Sequence, residues 1–233
     1  MIKRIIIIIT LIGLSFVLLP LFLNMEDAER LSELSQTYVT EGAEELGTAN
    51  LVTAVVVSYR GLDTLGEVAV LFAATAGVTL LLGTKKKGGS VTDLLEERRG
   101  GSELLNTGAA LLFPVLLLFG AYIFVHGHLT PGGGFQGGVV IASAFVLLLF
   151  IESDREFSHS VLHSLEALSG AAYVLIGLIG LWFAAGFLDP RFLPSGEIGR
   201  LLSAGAIPLI YSLIGIKVGS ELIGVVDSLR RRS

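Results

Sequence analysis

Residues 111–149 read LLFPVLLLFGAYIFVHGHLTPGGGFQGGVVIASAFVLLL. Two apolar runs flank a polar, glycine-rich turn, HGHLTPGGGFQGG at 126–138. Soluble proteins use such glycine clusters to cradle phosphate, but the Gly-Lys-Ser/Thr that completes a phosphate loop is missing. The flanks settle the setting. Each run approaches the length of a bilayer crossing, so the turn reverses the chain between two membrane helices. Pro131 has no N–H to donate and marks a helix boundary. Gly132 permits backbone conformations closed to other residues. Gly133 and Gly137 are four apart, as are Gly134 and Gly138, and such pairs let another helix approach closely in a membrane. Gln136 sits among them with the capacity to hydrogen-bond across helices, and Phe135 precedes it.

The rest of the chain repeats the pattern. It is 52% hydrophobic and only 16% charged, far from a soluble globular composition. Further apolar runs lie at 2–23, 65–82, 165–186 and 200–226, beside 104–125 and 133–151 around the opening turn. The expectation is an all-α integral membrane protein with about six transmembrane helices. A signal peptide is the rival reading of 2–23, but PLFLNMEDAERL at 20–31 offers no small-x-small cleavage site. A single helix over 48–83 would run about 54 Å, too long for a hydrocarbon core of about 30 Å. A break near Gly61 to Gly66 is therefore expected, with 48–60 lying along or dipping into the interface.

Residues 84–101 carry Lys85, Lys86, Lys87, Arg98 and Arg99 among glycines and read as a charged linker. Basic residues favour the cytoplasmic side. Six spans with a cytoplasmic N-terminus put this linker and the Arg230–Arg232 tail on that side. The acidic 24–47 segment and the glycine turn then face out. The formal charge of -5 argues against nucleic-acid binding. With no cysteine, the chain has no disulfide, thiolate metal site or cysteine nucleophile.

Ionisable residues in apolar spans are costly and mark function by default. Arg60, Asp63 and Glu67 lie at i, i+3 and i+7, one stripe of a helix. A carboxylate at Glu67, inside the span, suits a proton carrier; an interfacial salt bridge that sets helix depth is the plainer alternative. Lys217 and Glu221, at i and i+4, can meet on one face of the final span. Snorkelling of Lys217 to the cytoplasmic surface is the plainer reading there. His126 and His128 flank Gly127 at the end of a span and either sense pH or sit at the interface. His159 and His163 have the spacing of a helical metal site, but no carboxylate motif completes one, and no catalytic signature appears.

The stretch at 104–226, with HGHLTPGGGFQGG at its centre, resembles the MnhB/MrpB component of the Mrp-type multisubunit cation/proton antiporters. It is also similar to the corresponding component of membrane-bound, hydrogen-evolving hydrogenases. Separately, GTANLVTAVVVSYRGLDTLGEVAVLF at 47–72 resembles the small, MbhE-like component of those hydrogenases and the C-terminal end of the large Mrp component that precedes MrpB. The resemblance implies a fusion: an E-like unit with two spans at 1–83, the linker at 84–101, and a B-like unit with four spans at 102–233. It matches Arg60 and Glu67 to an arginine and a glutamate associated with ion transport, and places Phe135 in the glycine motif. GIKVGSELIG at 215–224 looks closer to the hydrogenase version.

The implied role is a non-catalytic subunit in the prokaryotic cell membrane, carrying H+ and Na+ as cargo and no cofactor. Glu67 would exchange protons, with Asp63 and Arg60 tuning its charge. Lys217 and Glu221 join the ion path, and residues 131–138 make the helix or subunit contacts. The implied partners are other Mrp-like membrane subunits and the lipid bilayer, with a hydrogenase-type peripheral arm in one of the two host complexes. Since this chain has no cysteine for iron–sulfur clusters, any redox arm lies on other chains. A purely structural scaffold and a stand-alone six-helix transporter are the alternatives. The second is disfavoured by the lack of an evident internal repeat.

Overall fold

The structure, a computed structural model, describes residues 2–23, 31–83, 103–151 and 157–230. Every regular element among them is helical. The chain divides into two compact units, Met1–Thr37 and Tyr38–Ser233. The first holds α1 (Ile2–Leu23), whose described side chains are exposed and mostly apolar. α2 (Glu33–Leu46) runs across the boundary between the units. The linker read at 84–101 lies outside the described residues, as do Arg231 and Arg232.

In the second unit a short helix α3 (Leu51–Thr53) continues as one π-helical segment, Ala54–Tyr59. Asn50 caps it by accepting from Val52 N at 3.1 Å. The expected break falls at Arg60, where φ is -121° and ψ 33°. Thr64 Oγ1 donates to Val56 O at 2.7 Å and satisfies a carbonyl near the break. Residues 51–59 are far too short to cross a bilayer. Thr53, Ala54 and Val57 are buried, so the segment is packed into the protein.

Among the described residues four helices are long and apolar enough to cross a membrane: α4 (Gly61–Gly83), α5 (Glu103–Val125), α7 (His159–Phe183) and α8 (Ile207–Arg230). α6 (Gly134–Ile151) and the Ile7–Pro20 stretch of α1 are shorter apolar helices. Two boundaries differ from the sequence expectation. α7 begins at His159, not near 165, because His159 finds Asp227 on α8 and His163 finds Glu166 one turn further along α7. α8 begins at Ile207, not near 200. The preceding loop is held by Gly196, Gly199, Ala204 and Gly205, all with left-handed φ, and by a 3-10 turn at Pro190–Phe192.

α8 is the hub. It packs against α4, α5, α6 and α7, and 56% of its central stretch is buried against 17% for α4 and α5. Ile207, Ile210, Tyr211, Ile214 and Val218 meet Phe124, Tyr173, Ile176, Val57 and Val68 in one apolar cluster.

The overlapping glycine pairs explain how α6 fits. They divide between two neighbours, both in this chain. A β-carbon on Gly134 would lie 2.6 Å from Ile214 Cβ, and one on Gly138 would lie 2.7 Å from the Gly215 carbonyl, both on α8. One on Gly137 would lie 2.6 Å from the Gly120 carbonyl, on α5. Lipid offers no hydrophobic drive for helices to associate, so this close backbone contact supplies the attraction. Gly133 has φ 155° and accepts from Gly137 N at 3.1 Å, which starts α6. Gln136 is exposed and does not reach across to α5 or α8, while Phe135 is half-buried and Pro131 is exposed.

Candidate functional site

Ionisable and polar groups collect in three places. The first is the start of α4. Arg60 and Asp63 form an ion pair and both are exposed, at 63% and 55%. Glu67, one turn further on, is also exposed. The stripe expected from spacing therefore exists and points away from the body of the chain.

The second is the middle of α8. Lys217 Nζ donates to Glu221 Oε1 at 2.6 Å, and both residues are buried. Lys217 does not snorkel. Its stem passes over α7, where a β-carbon on Gly170 would stand in van der Waals contact, 3.4 Å from Lys217 Cδ. Its ammonium sits 5.2 Å from the centroid of the Phe72 ring on α4, a cation–π distance. Among the described residues no ion pair joins Lys217 or Glu221 to the Arg60–Asp63–Glu67 stripe; Lys217 meets α4 at the Phe72 ring.

The third is the glycine turn, and its partners carry no signal in the sequence. Thr48 Oγ1 donates to His128 O at 2.6 Å, and Thr53 Oγ1 donates to Gly127 O at 2.6 Å. Asn50 Nδ2 donates to Gly127 O at 2.8 Å and to Thr130 O at 3.0 Å. Tyr211 O–H donates to Thr53 Oγ1 at 3.0 Å and packs its ring where a Gly127 β-carbon would stand. Carbonyls that leave a helix and are buried from water need donors within the protein. The segment before α4 supplies them, so the 48–60 stretch is a clamp on the turn between α5 and α6.

The histidines divide. His126 stacks on Tyr122 with ring centroids 4.2 Å apart. His128 is fully buried, with Nε2 3.3 Å from Arg200 O and Nδ1 unpartnered. Burial holds its pKa below the ordinary value, partly offset by the backbone hydrogen bond to Arg200. His159 and His163 each face a carboxylate, Asp227 and Glu166, and among the described residues no group of three or more metal-ligating side chains forms.

A further network closes the α7–α8 loop. Arg191 Nη1 reaches Glu45 Oε1 at 2.5 Å, and Arg191 Nη2 reaches Asp189 Oδ2 at 2.6 Å. Burial works to raise the Asp189 pKa, but hydrogen bonds from the Arg191 side chain and from the Arg191 and Ala185 N–H groups outweigh it and hold it below the usual value. Tyr59 O–H donates to Glu45, and burial together with that bond pushes its pKa up to about 12.

With this geometry in hand, the chain can be set beside known proteins. Residues 104–224 match the family described as a domain related to the MnhB subunit of Na+/H+ antiporter. The chain belongs to this MnhB-related family. Residues 3–91 match a second family, MbhE, the E-type subunit of MBH. A chain in the structure of the membrane-bound sulfane sulfur reductase, an archaeal respiratory membrane complex, is 45% identical. The alignment covers 98% of both chains with a TM-score of 0.81. The B-type subunit of a Na(+)/H(+) antiporter of Bacillus subtilis is 33% identical over 42% of this chain and 71% of its own length. The A/B-type subunit of a probable K(+)/H(+) antiporter of Rhizobium meliloti is 29% identical over 79% of this chain, which spans only 20% of that larger protein. This MnhB-related chain is a multi-pass protein of the prokaryotic plasma membrane.

Proposed function

We propose that this chain is a non-catalytic membrane subunit of an Mrp-type ion-translocating module, in which the Arg60–Asp63–Glu67 stripe forms part of the path for H+ and Na+. One observation carries the reading: a carboxylate, Glu67, stands exposed on the outer face of a membrane-length helix. Exposure of an ionised side chain to lipid costs about 2.5–3.5 kcal/mol at the centre of a span and less toward its ends. A neighbouring subunit that covers the stripe, and encloses a hydrated space beside it, removes that cost. Other Mrp-like subunits are those neighbours. Both termini lie in the cytoplasm, following the distribution of basic residues. The E-like unit at 1–83 brings the stripe and the clamp, and the B-like unit at 102–233 brings the glycine-packed bundle that holds them.

The 45% identity to a chain of a respiratory membrane complex, end to end, favours a respiratory host with a peripheral redox arm over a free-standing antiporter. Pull-down of the tagged chain in mild detergent tests the host: a redox arm should co-purify. The decisive variant is Glu67→Gln. It should abolish coupled ion transport by the purified complex while every subunit still co-purifies. Transport at the wild-type rate would remove Glu67 from the path, and loss of assembly would assign the stripe to scaffolding.

A further inference from the structure

α7 and α8 meet along a seam of ionisable groups that no requirement of packing explains. On α7, His159, His163, Glu166 and Gly170 are spaced four, three and four apart, so they share one face. On α8, Lys217, Glu221 and Asp227 are all buried. The two series face each other in antiparallel order. His159 Nε2 lies 3.6 Å from Asp227 Oδ2 at one end and Lys217 lies over Gly170 at the other, which sets Glu166 level with Glu221 between them. Within the α7 series, His163 Nδ1 lies 3.5 Å from Glu166 Oε2.

Exposure falls steadily inward: 75% for the His163 side chain, 16% for Glu166 and none for Glu221. At the inner end, Glu221 Oε1 holds Lys217 while Oε2 is buried with no hydrogen-bond partner. A buried acceptor without a donor is costly, so this oxygen is a prepared place for a proton or a water.

We propose that the seam is a proton route inside this chain, entered at His159 and His163 and ending at Glu221, where protonation frees Lys217 to move toward α4. The inference rests on the reading of the chain as part of an ion-translocating module. The protons balance simply. The His163 imidazolium gives its proton to the Glu166 carboxylate and is left neutral until it takes up another from water; Glu166 passes the proton to Glu221 Oε2 and returns to its carboxylate form. Gaps of 3.5 Å and above are spanned by a rotamer change or a single bridging water. Lys217 keeps its own proton but loses its counter-charge. The Phe72 ring, 5.2 Å away, is then its remaining electrostatic partner, and Phe72 shares α4 with Glu67.

Among the described residues few other charges face the seam. Arg230 Nη2 holds Asp227 Oδ1 at 3.0 Å. α6 carries no charged residue, α5 only Glu103 at its start, and α4 only Asp63 and Glu67 near its own start.

The test uses the intact complex in proteoliposomes with a pH-sensitive dye, measuring coupled proton movement for Glu166→Gln, Glu221→Gln and His163→Gly beside Glu67→Gln. Loss of a positioned proton donor slows transfer by about a hundredfold or more in favourable cases, so each seam variant should lose at least most of its rate. Imidazole added to the His163→Gly complex should restore transport, which repair of a merely structural defect would not do. Wild-type rates in Glu166→Gln and Glu221→Gln, with transport lost in Glu67→Gln, would overturn the seam and leave the functional reading standing. A wild-type complex that moves no ions would overturn both. A His163→Gly rate that stays low with imidazole, while Glu166→Gln is normal, would also overturn the route.

Discussion

Thr53 donates its hydroxyl hydrogen to the carbonyl of Gly127 at 2.6 Å, joining residues 74 positions apart at a site buried from solvent. The contact fixes the turn between α5 and α6 to the segment that leads into α4. Thr53→Val keeps the shape and removes the donor, leaving the Gly127 carbonyl to Asn50 alone and the Tyr211 hydroxyl without its acceptor. The expected loss is about 1–3 kcal/mol. Asn50→Leu should cost more than Thr53→Val, since it removes two turn contacts and the cap on α3. Thermal unfolding of the purified complex in detergent checks both, and equal stability to wild type would remove the clamp.

Gly138 and Gly66 give a paired comparison within helices. A β-carbon at Gly138 would meet the Gly215 carbonyl at 2.7 Å and Val218 Cβ at 2.9 Å, whereas at Gly66 nothing lies within 4 Å. Gly138→Ala should therefore destabilise by about 1–3 kcal/mol through overpacking between α6 and α8. Gly66→Ala should be neutral or stabilising by up to about 1 kcal/mol in this chain, through helix propensity. Melting temperatures of the two variants should move in different directions, unless a partner subunit fills the space at Gly66, which would itself show the α4 face to be covered.

The sequence made the bundle legible because membrane helices announce themselves by length and apolarity, and because glycine spacing is periodic. The Gly134–Gly138 and Lys217–Glu221 relations are local, at i and i+4, and survive into the structure. What stayed hidden is non-local. Thr48, Asn50 and Thr53 are small polar residues in an apolar stretch, and their targets lie 74 to 80 residues away. Glu45 and Arg191 are 146 positions apart. The start of α7 reads as a polar loop because the acids that accommodate His159 and His163 are Asp227 on another helix and Glu166 further along its own. Leu188 and Ala204 take left-handed backbone conformations with no glycine to signal them.

His128 gives the turn a pH dependence with a definite sign. Its folded pKa lies below the ordinary 6.5, so the folded state favours the neutral ring. The unfolded chain binds the extra proton first. The stabilisation is fully present above pH 6.5 and is lost as pH falls below that value toward the folded pKa. Unfolding temperatures measured from pH 7.5 down to about 5.5 should fall more in the wild type than in His128→Gln, which cannot take up the proton. Identical slopes would show that the buried ring titrates as it does in the unfolded chain.

Lys217 and Glu221 separate stability from transport. Breaking a buried ion pair from one side strands a charge and costs about 3–5 kcal/mol, whereas replacing both partners is often close to neutral. Lys217→Met alone should therefore weaken the complex strongly, because the buried Glu221 is left either charged with no counter-ion or protonated with no partner. Lys217→Met combined with Glu221→Gln should restore most of the lost stability, since no formal charge is left in the pair. If the pair serves only to hold α8 in place, the double variant should also restore ion transport. If it receives and relays protons, the double variant should assemble and melt near the wild-type temperature yet move no ions, because neither replacement side chain can exchange a proton. Transport and melting measured on the same preparation decide between these outcomes, since one predicts that the two recover together and the other that they part.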